Sequence, residues 1–412
     1  MPDIGRILSA SAPLTLASVA RGAQPLVMAD LARAARGRAV FVAADDAAMR
    51  AIADAAQFFA PELDVIEFPA WDCLPYDRAS PALAVSARRL SALYRLQAAR
   101  KGPQLLVTTI NAALQRVQTP FRIRESVREL KPGMEIGRES LIGLLQRQGY
   151  SRTDTVADAG EYAVRGSIFD IFPSGLEAGL RLDFFGDELE TLRLFDPNTQ
   201  RSTGVLESHL LLPASEALLD EDTVKRFRTR YREQFGATAT GDPLYQAVTD
   251  GRRLAGMEHW LPLLEERLET LFDHLAKDDL IVVDSGALAA AEERLADIAD
   301  YYAARTDTAG KAAGSYRPLG PEALYLSRAE LDARLDGWPV HRADIFAQPE
   351  GAKVIDFGFT GARDFAPERA RGDNVYEAAA RPRASCQLSA SAGAGPCASP
   401  RIEAMRARLP AE

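Results

Sequence analysis

The sequence predicts an α/β protein: a discontinuous parallel-sheet domain with a small α+β domain inserted into it. Three observations predict this. Residues 1–125 alternate short buried-strand patterns with helical ones, which implies a parallel sheet with helices on its faces. Residues 126–212 switch to runs that alternate apolar and polar residues. Residues 213–345 return to the first style, so the two outer stretches read as parts of one domain.

The elements follow in chain order. AVFVA at 39–43 is a buried-strand pattern, followed by an alanine-rich helical spacing over 45–59. DVIEF at 64–68 is a second strand and ends at Pro69. Residues 86–100 form an amphipathic helix, with Leu90, Leu93, Tyr94 and Gln97 at 3–4 spacing. QLLVT at 104–108 is a third buried strand. In the insert, 141–149 is helical and SIFDIF at 167–172 alternates before Pro173. The alternating runs 179–185 and 188–195 flank Gly186-Asp187, a tight-hairpin signal. Beyond it, 223–235, 259–276 and 287–304 are helical, with LIVVD at 280–284 a buried strand. Residues 306–320 read as a loop, and 346–378 as the stub of a further domain. The stretch 379–412 has few large aliphatics and is expected to be disordered. Its abrupt start near Ala379 suggests a lost reading frame or a truncation.

Composition narrows the function. Net charge is −9, whereas a chain that grips phosphate backbones usually carries a basic surface. Only six of the 49 basic residues are lysine, which fits a GC-rich genome and lowers the weight of any single arginine. The three cysteines, Cys73, Cys386 and Cys397, have neither metal-ligand nor disulfide-framework spacing. With no signal segment and no apolar run near ~20 residues, the reading is cytoplasmic, with no membrane partner.

Catalytic motifs are missing. No GxxxxGK[ST] run exists to wrap and reach phosphates. The nearest pair, Gly310-Lys311, is followed by Ala312. The first strand-to-helix turn reads Val19-Ala20-Arg21-Gly22-Ala23-Gln24-Pro25, with one glycine and no lysine. The strand at 280–284 ends in a single Asp284, where a motor would place adjacent carboxylates for magnesium. His209, His259, His274 and His341 show no metal-ligand spacing. No catalytic residue, cofactor or metal is therefore expected.

Two stretches are specific. One is FPAWDCLPYD at 68–77, then Ser80-Pro81 and the helix with Arg88-Arg89-Leu90. The other is Gly149-Tyr150, GEYAVRGSIFDIFP at 160–173 and LRLDFFGDELE at 180–190; MEHWLPL at 257–263 adds support. Together, over roughly residues 10–378, they resemble the N-terminal half of the bacterial transcription-repair-coupling factors (Mfd) and the homologous front domains of the helicase UvrB. The degenerate turn at Gly22 favours the coupling factors, whose front module has lost its nucleotide site. The resemblance implies a helicase-like α/β domain with a middle domain that docks onto UvrA. It implies no enzyme activity for this chain. In the family, ATP and magnesium serve motor domains, and RNA polymerase and DNA are partners of the full-length protein, which displaces polymerase stalled at lesions. A UvrB-like ATP-dependent DNA helicase or damage-binding subunit is the alternative.

The UvrA-binding residues of the family map onto Arg165, Arg181 and Phe185. Alternation puts Arg181, Asp183 and Phe185 on one face of a strand and Phe184 on the other. With Phe184 available for the core, Phe185 is expected to face solvent, where an aromatic beside arginines has hot-spot composition. A turn-capping Arg165 and a core Phe185 are the plain alternatives.

Overall fold

In a computed structural model, residues 4–173, 175–236, 241–308 and 316–359 are described, all within one compact unit. The first part of the chain supplies β1 (Thr15–Ala17), β2 (Ala39–Ala43), β3 (Asp64–Phe68) and β4 (Gln104–Thr109). Helices α1 (Gln24–Ala34), α2 (Asp46–Phe59) and α3 (Leu83–Gln97) connect them. Asp45 caps α2, its side chain accepting from the amide of Ala48.

Next comes the insert. After helix α4 (Arg138–Arg147) run β5 (Glu161–Arg165), β6 (Ile168–Ile171), β7 (Gly179–Phe185), β8 (Glu188–Phe195) and β9 (Ser202–Val205). The chain then returns through α5 (Glu221–Phe235), β10 (Leu280–Asp284), α6 (Ala287–Thr308), β11 (His341–Ala343) and β12 (Val354–Asp356).

The first and last groups of strands form one sheet, in the order β12-β1-β11-β10-β2-β4-β3. Every pairing in it is parallel. Both faces are buried. Ala39, Phe41, Ala43, Leu105 and Val107 pack with Leu31, Met49 and Ile52 on one side. Val40, Val42, Ile66, Phe68 and Leu106 pack with Leu90 and Leu93 on the other. Burial on both faces is why β2 and β10 read as apolar runs.

The insert is a second sheet, with β9-β8-β7-β6-β5 in order and antiparallel pairing throughout those five strands. Where the chain enters and leaves it, Arg128–Leu130 pairs antiparallel with His209–Leu211.

Some expectations need correction. The segment 259–276 is not one helix. It holds a 3-10 turn at Met257–Trp260, a single turn at Leu261–Leu264 and a strand at Leu268–Glu269 that pairs with Val117–Gln118. A second 3-10 turn, Leu271–His274, starts at a capping box between Thr270 and Asp273, which fixes a break there. The strand β12 lies within the range 346–378 assigned to a following domain, yet it pairs with β1 in this sheet. Gly310-Lys311, residues 360–378 and the tail 379–412 lie outside the described residues.

Candidate partner-binding site

The inserted sheet has one face covered by α4 and an opposite face that is open at its Phe185 end and closed over Phe195 by a small cluster with Val156 and Ala163. On β7, Leu180, Leu182 and Phe184 point to the covered side, where they join Leu189, Leu192 and Phe169 against Leu141 and Leu145 of α4. Phe184 meets Phe169 with ring centroids 5.2 Å apart. Alternation then sends Phe185 to the opposite side, where it is 79% exposed. It ends the strand just before Gly186, whose φ of +64° makes the tight turn. The pairing of β7 with β8 shifts between Asp183 and Phe184, from Thr191 to Leu189, leaving Glu190 as an extra residue. Such a bulge sharpens local twist at the hairpin end.

Cross-strand register assembles this opposite face, because directly opposed residues share a side. Ala163, Asp170, Arg181 and Arg193 form one row. Arg165, Ile168, Asp183 and Thr191 form the next. The three predicted residues, Arg165, Arg181 and Phe185, therefore lie on one surface.

At its centre sits Asp170, only 1% exposed. Its Oδ1 accepts from Arg181 Nε at 2.7 Å and its Oδ2 from Arg181 Nη2 at 3.0 Å, a two-pronged pair. Arg165 Nη2 donates to the same Oδ2. Arg181 Nη1 donates to the Gln200 carbonyl at 3.1 Å, and the guanidinium lies 4.8 Å over the Phe195 ring. Gln200 is fixed in turn: its φ is +60°, and its side chain donates to the Val156 carbonyl at 2.8 Å. Phe195 is buried with Val156 and Ala163 in a small cluster under Arg181. The hydrogen bonds to Asp170 raise the Arg181 pKa above its ordinary value.

The two arginines are thus unequal. The Arg181 side chain is 19% exposed and spends three of its N–H donors within the chain. The Arg165 side chain is 48% exposed and spends one. With five donors per guanidinium, Arg165 presents an open fork and Arg181 the remainder of one. The resemblance singled out both arginines, but not Asp170, Phe195 or Gln200, which hold them. The only signal for Asp170 was a lone acid inside an apolar alternating run.

The other specific stretch is structural. Trp71 Nε1 donates to Glu216 Oε1 at 2.6 Å, and Arg89 Nε to the same oxygen at 2.7 Å. Arg89 also donates to the Pro69 carbonyl at 2.8 Å and lies 4.4 Å over the Phe68 ring. This buried knot holds the segment that returns from the insert. His259 packs edge-on against Trp71 and stacks on Tyr76. Burial pushes its pKa down to about 4.

The turn after β1 keeps two of its amides within the chain. The amides of Ala23 and Gln24 both donate to the Ala20 carbonyl, and Pro25 has none to give. Leu16, Val19, Val27, Met28 and Phe41 pack beneath it. Asp284 turns its Oδ1 to the Gly286 amide at 2.9 Å. Among the described residues, no cluster of three or more His, Cys, Asp or Glu could hold a metal, and no helix is long and apolar enough to cross a membrane.

The inserted sheet falls within a stretch that matches a known family. Residues 129–216 match the family model described as the UvrB interaction domain. The chain is 37% identical over 279 residues to the transcription-repair-coupling factor of Haemophilus influenzae, covering 67% of this chain and 24% of that protein. It is 34% identical over 304 residues to the Escherichia coli factor, covering 73% and 26%. The Rickettsia bellii factor is 32% identical over 277 residues, covering 67% and 24%. The chain thus spans about a quarter of the length of the curated relatives it matches.

Proposed function

Because the chain belongs to the transcription-repair-coupling factors and carries their UvrB-type interaction domain, we propose that it is an adaptor that docks UvrA through the Phe185 face of its inserted sheet. Residues 126–212 are the docking domain on this reading. The parallel-sheet domain is the scaffold that presents it.

One observation carries the reading: a phenylalanine left 79% exposed at a strand end, on the same face as two arginines already ordered by a buried carboxylate. Aromatic and arginine side chains are enriched at protein–protein interfaces relative to the rest of the surface. Ordering them in advance lowers the entropic cost of association. Phe185 would enter an apolar pocket on UvrA, Arg165 would take a carboxylate at its rim, and Arg181 would support both.

ATP-driven displacement of stalled RNA polymerase, and the DNA contacts it needs, we assign to the family's length beyond the quarter matched here. The turn after β1 favours this reading over a UvrB-like helicase, since it has one glycine and no lysine and the amides of Ala23 and Gln24 are committed to the Ala20 carbonyl.

Calorimetric titration of UvrA into this chain, beside an Arg165→Ala variant, tests the proposal. Wild-type binding that weakens at least about tenfold in the variant is expected, which corresponds to about 1.4 kcal/mol. A folded wild-type chain that does not bind, or a variant that binds equally well, refutes it.

A further inference from the structure

We propose that Asp170 is the positioning residue of the docking face, a role that rests on the UvrA reading above. It would touch no partner itself, being only 1% exposed. It acts through its neighbours. Strand β6 lies between β5 and β7, so one carboxylate at its centre reaches Arg165 on one side and Arg181 on the other.

The geometry separates two roles that an acid beside arginines could play. A carboxylate under two guanidiniums lowers their combined charge from two to one. If the face worked by positive charge alone, Asp170 would weaken its attraction for an acidic partner. The rest of the site argues for order instead. Arg181 is held from a second direction by the Gln200 carbonyl and from below by the Phe195 ring. Gln200 is itself held in a left-handed turn, its amide donating to the Asp196 carbonyl at 2.7 Å. Long side chains free to sample rotamers lose that freedom on docking, and Asp170 removes the loss beforehand. The device also fixes spacing, because both guanidiniums are tied to one carboxylate that cannot move out of the sheet.

The two roles give opposite signs for Asp170→Asn, which keeps the shape and removes the charge. Positioning predicts UvrA binding about tenfold weaker, in a variant that still folds but melts below wild type, because both guanidiniums lose their counter-charge. Charge alone predicts binding as tight or tighter. The experiment is calorimetric titration of UvrA into the whole 412-residue chain, wild type and variant, each with a thermal melt. Equal or tighter binding by the variant, with a binding wild type, overturns the positioning role and leaves the docking reading intact. A wild-type chain that fails to bind overturns both.

Should the variant not fold, nitrogen-15 relaxation of the arginine Nε–H groups in the wild-type chain gives the answer. The Arg181 Nε–H is expected to be as rigid as the backbone. Mobility equal to that of exposed Arg193 overturns the proposal.

Discussion

Truncating Phe185 to alanine isolates the apolar part of the docking face, and its cost can be worked from the structure. A phenylalanine exposes roughly 200 Å² when fully free. At 79% exposure, Phe185 offers about 160 Å² for burial, worth about 4 kcal/mol at ~25 cal/mol per Å². Alanine keeps roughly a third of that area, so the loss is about 2.5 kcal/mol, or ~70-fold in Kd. The folded chain should not notice, because surface substitutions stay within about 0.5 kcal/mol. Phe184, on the opposite face, remains in the core with Phe169. The assay is calorimetric titration with UvrA, with a urea melt as control. Binding within about twofold of wild type refutes the reasoning. So does a loss of binding matched by a loss of stability, which would mean that Phe185 supports the fold.

Two further outcomes concern the scaffold. Glu216→Gln should cost about 3–5 kcal/mol, because it leaves the buried Arg89 guanidinium without its counter-charge; an unchanged urea midpoint would contradict this. Stability should fall as pH drops from about 6.5 to about 4. His259 has a folded pKa of about 4 against 6.5 ordinarily, so in that window the unfolded chain binds more protons and stability rises with pH. Burial lowers the pKa of His209, His274 and His341 in the same direction. A melting temperature flat from pH 7 to pH 4.5 would count against it.

Much of this architecture is legible from residues alone, for definite reasons. The runs at 39–43 and 280–283 show as strands because a parallel sheet buries both faces and leaves no polar position to interrupt them, while 64–68, at the sheet edge, keeps Asp64 and Glu67 only partly buried. Phe184 and Phe185 separate into core and surface because a strand has a period of two. What escapes the sequence depends on contacts between distant segments. The strands β1, β11 and β12 have three residues each, too few to show a period. Alternation assigns Asp170 a face and not a partner; only the register of β6 against β5 and β7 brings it to Arg165 and Arg181. Glu216 carries no local sign of its role, since Arg89 lies far back in the chain and on a different element. The stretch 259–276 has helical composition, but the capping box at Thr270 and the pairing at Leu268–Glu269 override it.

The place of β1 in the parallel sheet also sets a timetable. Thr15 pairs with Arg342 on one side and Val354 on the other. At about 5–20 residues per second of synthesis, tens of seconds separate the emergence of Thr15 from that of either partner. The inserted sheet pairs neighbouring strands in sequence and can close before β11 and β12 are made. The inserted sheet can thus form before the parallel sheet is complete, and β1 waits unpaired, with two open edges, as the last seam to be sewn.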